Sequence, residues 1–235
     1  MSVYRKTIYP TSSVCKIILK MSTEIDILNL LKEKASVKQE VYKITKEVFG
    51  KIQEILISKA NRLDKDVVDD AVHISYEESG DFDAKLKFSG DTLLFHMHTN
   101  IFDFDSSHEI HKSTYVKEDR MRSYCGVINI YNFLSDSLKY NRLNDAGFLI
   151  ARIFVNKDNH FFVEGDQQLG FLFNDIVNQQ VNEEQMDKII NAAMDYSLHF
   201  DLEVPKFNDV RIVSVHEILD INNNHKIKTS KKLGF

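Results

Sequence analysis

The chain has 235 residues, 43% of them hydrophobic and 11% aromatic, enough apolar side chain to fill a core without staples. Its two cysteines, Cys15 and Cys125, allow neither a disulfide framework nor a thiolate zinc knuckle, and they fit a reducing compartment. The net charge of −5 is unevenly spread: Arg5, Lys6, Lys16 and Lys20 make one end basic and Lys226, Lys228, Lys231 and Lys232 the other, so the body between them is acidic and poorly suited to a phosphate backbone.

No apolar run approaches the roughly 20 residues that span a bilayer, and the run near the first residues is broken by Lys16 and Lys20 where a secretory signal would stay apolar. The expectations are a cytoplasmic protein with no membrane contact and with nucleic acid disfavoured as a partner. Richness in Lys, Asn, Ile and Phe suggests an AT-rich bacterial genome. Residues 1–20 are read as an N-terminal extension, with Met21 as an alternative start; residues 21–220 as a single domain; residues 221–235 as a basic flexible tail.

Ser22 and Thr23 are natural N-caps, and Ile25, Leu28, Leu31 and Ala35 follow at helical spacing. Ser36 with Gln39 forms a second capping box. Val37, Val41, Ile44, Val48, Ile52 and Ile55 then predict a long amphipathic helix to about Leu63. The expected role of this long helix is a cover on a sheet; a dimer seam is the alternative, although the spacing drifts from a strict heptad.

From Val72 the pattern alternates. Phe82, Ala84, Leu86 and Phe88 interleave with Asp83, Lys85 and Lys87, and Gly90-Asp91 reads as a two-residue hairpin turn. That turn sets Phe88 opposite Leu93, Leu86 opposite Phe95 and Ala84 opposite Met97 on one face, with Lys85:His96 and Asp83:His98 on the other. Residues 106–124 are polar and read as a long excursion before a strand at Gly126–Phe133. Ser135 caps a short helix to about Asn144. Leu149–Val155 and His160–Glu164 form a second hairpin, apolar on both faces and therefore expected to be central. Asn174 and Asn182 are further caps, the latter heading a helix with a Met186, Ile189, Ile190, Ala193 and Met194 stripe; Pro205 ends that region, and Arg211–Leu219 reads as a last strand. The predicted class is α+β: an antiparallel sheet of about five to six strands covered by a long N-terminal helix pair and a C-terminal helix.

Four of the nine histidines fall in residues 96–111. His96 and His98, two apart on a strand, point to one side, so they could share a divalent metal ion with Asp103 or Asp105, and His108 or His111 could carry protons. The plainer reading is a cross-strand His–Asp pair. Phe102, Phe104 and Asn100 were placed by the same alternation beside these histidines, a mixed aromatic and imidazole face suited to a ligand or a partner. Arg120 and Arg122 are candidate anion contacts within a charged loop. No GxSxG, GxGxxG or GxxxxGK[ST] motif occurs, so catalytic residues are not assigned and no cofactor is expected. Three functions stay open: a non-catalytic module that binds a small molecule or protein partner, with a homodimer among the partners; a metal-dependent hydrolase at His96, His98 and Asp103; and a nucleic-acid-associated factor using the basic ends.

Overall fold

The computed structural model describes residues 23–143, 145–201, 204, 206–216 and 219. The chain divides into two compact units, Met1–Ser36 and Val37–Phe235. The 1–20 extension, Met21, Asn144, Pro205 and the 221–235 tail lie outside the described residues.

In the first unit, Thr23 caps helix α1 (Glu24–Leu30): its Oγ1 accepts from the Asp26 N–H at 3.2 Å, and the Asp26 carboxylate accepts from the Thr23 N–H at 2.9 Å. Leu31–Ala35 widens into a π-helical turn, and α2 (Ser36–Asp66) follows with no coil residue between. Ser36 is therefore not a cap. Its Oγ donates back to the Leu31 carbonyl at 3.2 Å, the behaviour of a serine inside a helix.

The second unit is α+β. A six-stranded antiparallel meander runs in chain order: β1 (Ile74–Glu78), β2 (Asp83–Phe88), β3 (Asp91–Met97), β4 (Cys125–Leu134), β5 (Phe148–Asn156) and β6 (Phe161–Gly165). Short helices α3 (Thr114–Glu118) and α4 (Ser135–Lys139) sit between strands, and α5 (Gln168–Leu172), α6 (Glu183–Leu198) and α7 (Phe207–Val210) follow the last strand. Asn182 caps α6 through the Gln185 N–H at 2.8 Å, while Asn174 heads no helix.

One face of the sheet is the core. Ala84, Leu86, Phe88, Leu93, Phe95, Met97, Ile128, Ile130, Ile153 and Val155 pack with Val48, Phe49, Ile52, Ile55 and Leu56 of α2 and with Met186, Ile189, Ile190 and Ala193 of α6. Gly126 shows how closely α2 is seated: a Cβ there would lie 2.0 Å from Thr45 Oγ1. Lys59 ties the two helices. Its buried ammonium donates to Asp187 at 2.6 Å and to Asn191 at 2.7 Å beside a surface cleft of about 810 Å³.

Three expectations are corrected. The first hairpin turns at Ser89-Gly90, not Gly90-Asp91: Ser89 takes φ 55°, Phe88 pairs with Asp91, and Asp83 faces His96 rather than His98. A slip of two residues keeps every side chain on its face, so the hydrophobic pattern is blind to it. Next, β5–β6 is not central. β6 closes the sheet: Phe161 and Val163 of one face pack in the core and Phe162 of the other in the outer cluster, while residues 173–179 cover its edge, the Val163 and Phe161 N–H groups donating to the Phe173 and Gln179 carbonyls at 2.6 and 3.0 Å. Finally, residues 211–216 form no strand; their apolar members, Ile212, Val213 and Val215, are exposed.

Candidate functional site

The outer face of the sheet is organised in rows, because antiparallel partners stand side by side. Val127, Phe154 and Phe162 form the first row, and the 106–124 excursion covers it: Phe104, Ile110 and Val116 pack there in a second apolar cluster. The excursion is thus a lid of short helical turns rather than a strand-like loop. The next row crosses five strands as Asp83, His96, Asn129, Arg152 and Glu164. Beyond it stand Lys85, Leu94, Tyr131 and Leu149.

The polar row is paired at both ends. His96 Nδ1 lies 2.7 Å from Asp83 Oδ1. At the other end Arg152 bridges to Glu164, whose second oxygen lies 3.8 Å from His108 Nε2. The Arg152 guanidinium also lies over the Phe154 ring, 5.4 Å from its centroid. Between the two pairs, Asn129 Oδ1 is shielded from solvent and accepts no hydrogen bond. Asn132 Oδ1, Arg142 Nε, Gln179 Oε1 and Ser197 Oγ are likewise buried with no hydrogen-bond partner, but only Asn129 belongs to this row. An unmet buried acceptor costs about 1–3 kcal/mol.

The row ends at an open cavity of about 550 Å³ lined by His108, Phe162, Glu164, Gly165, Gly170 and Phe171. Its glycines are required by proximity: a Cβ on Gly170 would fall 2.2 Å from the Gly165 carbonyl oxygen. Phe171 is 78% exposed at the rim. Comparison with family models, with curated proteins and with solved structures returns no match.

The histidine-rich segment splits in two. His96, His98 and Phe102 stay together: the imidazoles are 6.3 Å apart, and the His98 and Phe102 rings meet edge to face at 4.7 Å. Asn100 turns back, its N–H donating to His98 Nδ1 at 3.1 Å. Phe102 is held by two 2.9 Å backbone bonds to Cys125. Phe104 leaves this group for the covered cluster, stacking on His108 at 4.6 Å, because the chain departs from the sheet after Met97 and alternation no longer governs it.

The acidic residues do not join His96 and His98. Asp103 accepts from Ser123 Oγ at 2.7 Å and lies 4.0 Å from His111, whose Nε2 sits 3.2 Å from the Phe104 carbonyl. Asp105 accepts from the Ser107 N–H and hydroxyl, which hold its carboxyl below the usual range. Among the described residues no three His, Cys, Asp or Glu side chains converge on one metal position, so the metal set expected from spacing is not assembled. Ser123, Asp103 and His111 do not form a Ser–His–Asp relay either: the Ser123 hydroxyl is bonded to the Asp103 carboxylate and the Arg120 carbonyl, and His111 faces the carboxylate rather than the hydroxyl. Burial pushes the Cys125 thiol far above its usual range, which keeps it unreactive.

Arg122 is a fastener rather than an anion contact. It donates to Asp158 at 2.9 Å, to Glu118 at 3.1 Å and to the Tyr115 carbonyl at 2.8 Å, and it lies over the Tyr115 ring. Arg120 stays exposed at the surface. Sequence reasoning missed Asn129, Arg152 and Glu164. The available signal was Arg152, the one charge inside the apolar run Leu149–Val155.

Proposed function

We propose that this chain is a non-catalytic binding module that holds a protein partner on the outer face of its sheet. The observation that carries the reading is the row of ionisable pairs left uncovered on the outer face, His96–Asp83 and Arg152–Glu164, whose side chains are 34–46% exposed on either side of Asn129. Leu94 and Tyr131, half-buried in the adjoining row, supply the apolar and aromatic surface that interface centres favour. The edges are poor alternatives: residues 173–179 cover β6, and on β1 the Ile74 N–H already donates to Asp64 at 2.9 Å. Carboxylates at both ends of the row, on an acidic body, argue against nucleic acid. The reducing compartment suggested by the cysteines fits a cytoplasmic location.

The test is affinity capture from the native host with the full chain and with an Asn129→Leu/Arg152→Ala variant, circular dichroism confirming that both fold. The wild type should retain a defined partner, and the variant should retain it at least about tenfold less, the loss expected of a central arginine. A chelator should change nothing. Equal retention by both proteins would defeat the reading, and loss in chelator alone would favour a metal-dependent function instead.

A further inference from the structure

The polar row of the outer face carries its charges in a near-symmetrical order: Asp83 on β2, His96 on β3, Asn129 on β4, Arg152 on β5 and Glu164 on β6. That order restricts how a second copy of this chain could lie on the face. A two-fold axis parallel to the strands and passing through Asn129 sets Asp83 of each copy against Glu164 of the other, carboxylate on carboxylate. An axis across the strands sets every charge of the row against itself or, moved to the neighbouring row, sets the polar row on Leu94, Tyr131 and Leu149. Displacing the parallel axis by half a strand spacing removes the conflict. Asp83 then meets Arg152 if the axis lies between β3 and β4, and His96 meets Glu164 if it lies between β4 and β5.

The lid chooses between these two. It stands over Val127, Phe154 and Phe162 on β4, β5 and β6, and those strands run on beneath it to Cys125, Asn156 and Phe161. Strands β1, β2 and β3 stop at or just past the polar row, at Glu78, Asp83 and Met97. With the axis between β4 and β5 the two lids would claim the same space. Between β3 and β4, each lid stands beyond the ends of the other copy's short strands. Asp83 then meets Arg152 twice, His96 meets Asn129 twice, and Leu94 packs on Tyr131 twice in the adjoining row. Lys85 falls against Leu149, where its aliphatic stem can lie along the leucine, with Glu77 as its cross-strand neighbour. In the hydrogen bonds of the row Asp83 uses one oxygen and Arg152 one nitrogen, which leaves both able to take a further partner.

We propose that the partner held on this face is a second copy of the chain, seated face to face about a two-fold axis between β3 and β4. The inference rests on the reading of the outer face as a protein-binding surface and names its occupant. Sedimentation of the full chain across the micromolar range tests it. The wild type should show a concentration-dependent dimer. Asp83→Arg and Arg152→Glu should each weaken that dimer about tenfold by placing like charges opposite, circular dichroism confirming that both fold. An equimolar mixture of the two variants should recover the dimer, because each copy then supplies the charge that the other has reversed; a change confined to one copy cannot be repaired by mixing. A monomeric wild type, a dimer indifferent to both substitutions, or a mixture no tighter than its components would overturn the proposal. A monomeric wild type that captures a different protein through this face would overturn the homodimer alone, and a monomer whose Asn129→Leu/Arg152→Ala variant captures as much as the wild type would overturn the reading of the face as well.

Discussion

Tyr115 shows what one side chain does for the lid over the sheet. Its hydroxyl donates to Asp158 at 3.0 Å and accepts from Asn156 at 3.0 Å, and its ring carries Arg122. Burial, followed by the Asp158 carboxylate, pushes the phenol up to about 12. The neutral phenol is the form that folding favours, so its contribution is complete below the unfolded value near 10 and is lost as pH rises from there through about 12. Phenolate absorbance should show a late-titrating component in the wild type that shrinks by one tyrosine in Tyr115→Phe, the raised phenols of Tyr76 and Tyr196 remaining in both, and the variant should lose less stability between these pH values. A wild type in which every tyrosine titrates near 10 would contradict the hydrogen-bond arrangement. Asp119 works in the opposite direction: its bond from Lys157 holds the carboxyl below the usual range, so that support fades as the medium becomes strongly acidic.

At the scale of elements, the seating of α2 on β4 depends on Gly126. Thr45 Oγ1, where the new methyl would arrive, is itself fixed by donating to the Val41 carbonyl at 2.7 Å, so the helix rather than one rotamer must give way. Gly126→Ala should cost about 1–3 kcal/mol, read as a lower denaturant midpoint at unchanged slope. An unchanged midpoint would mean that helix and strand are farther apart. The long helix itself was legible, because its buried residues, Val41, Val48, Ile52, Ile55 and Leu56 among them, repeat every three or four positions. The first hairpin was legible in its faces and not in its register. Two adjacent two-residue turns fit the same pattern, and the one adopted places serine, not glycine, at a positive φ. The consequence for the site is direct: Asp83 meets His96, and His98 is left to Phe102.

For the whole molecule, the polar row of the outer face is assembled across strands rather than along them. Asn129, Arg152 and Glu164 are 23 and 12 positions apart in sequence and become neighbours only through the β4–β5 and β5–β6 registers. No local motif announces such a row, whereas His96 and His98 announced themselves by spacing that the fold then assigned to separate partners. The lid of residues 106–124 adds the other boundary, covering the apolar row and leaving the polar one open. No helix among the described residues is long and apolar enough to cross a membrane.

Photo-crosslinking in the native host addresses the claim that this face is where the partner sits. A photoreactive side chain would replace Tyr131 on the outer face in one protein and Lys43, exposed on α2, in another. Adducts of one defined mass at position 131, and none at 43, are the expected result. Adducts at 43 with none at 131 would place the interaction on the helical side and contradict the assignment of the sheet face.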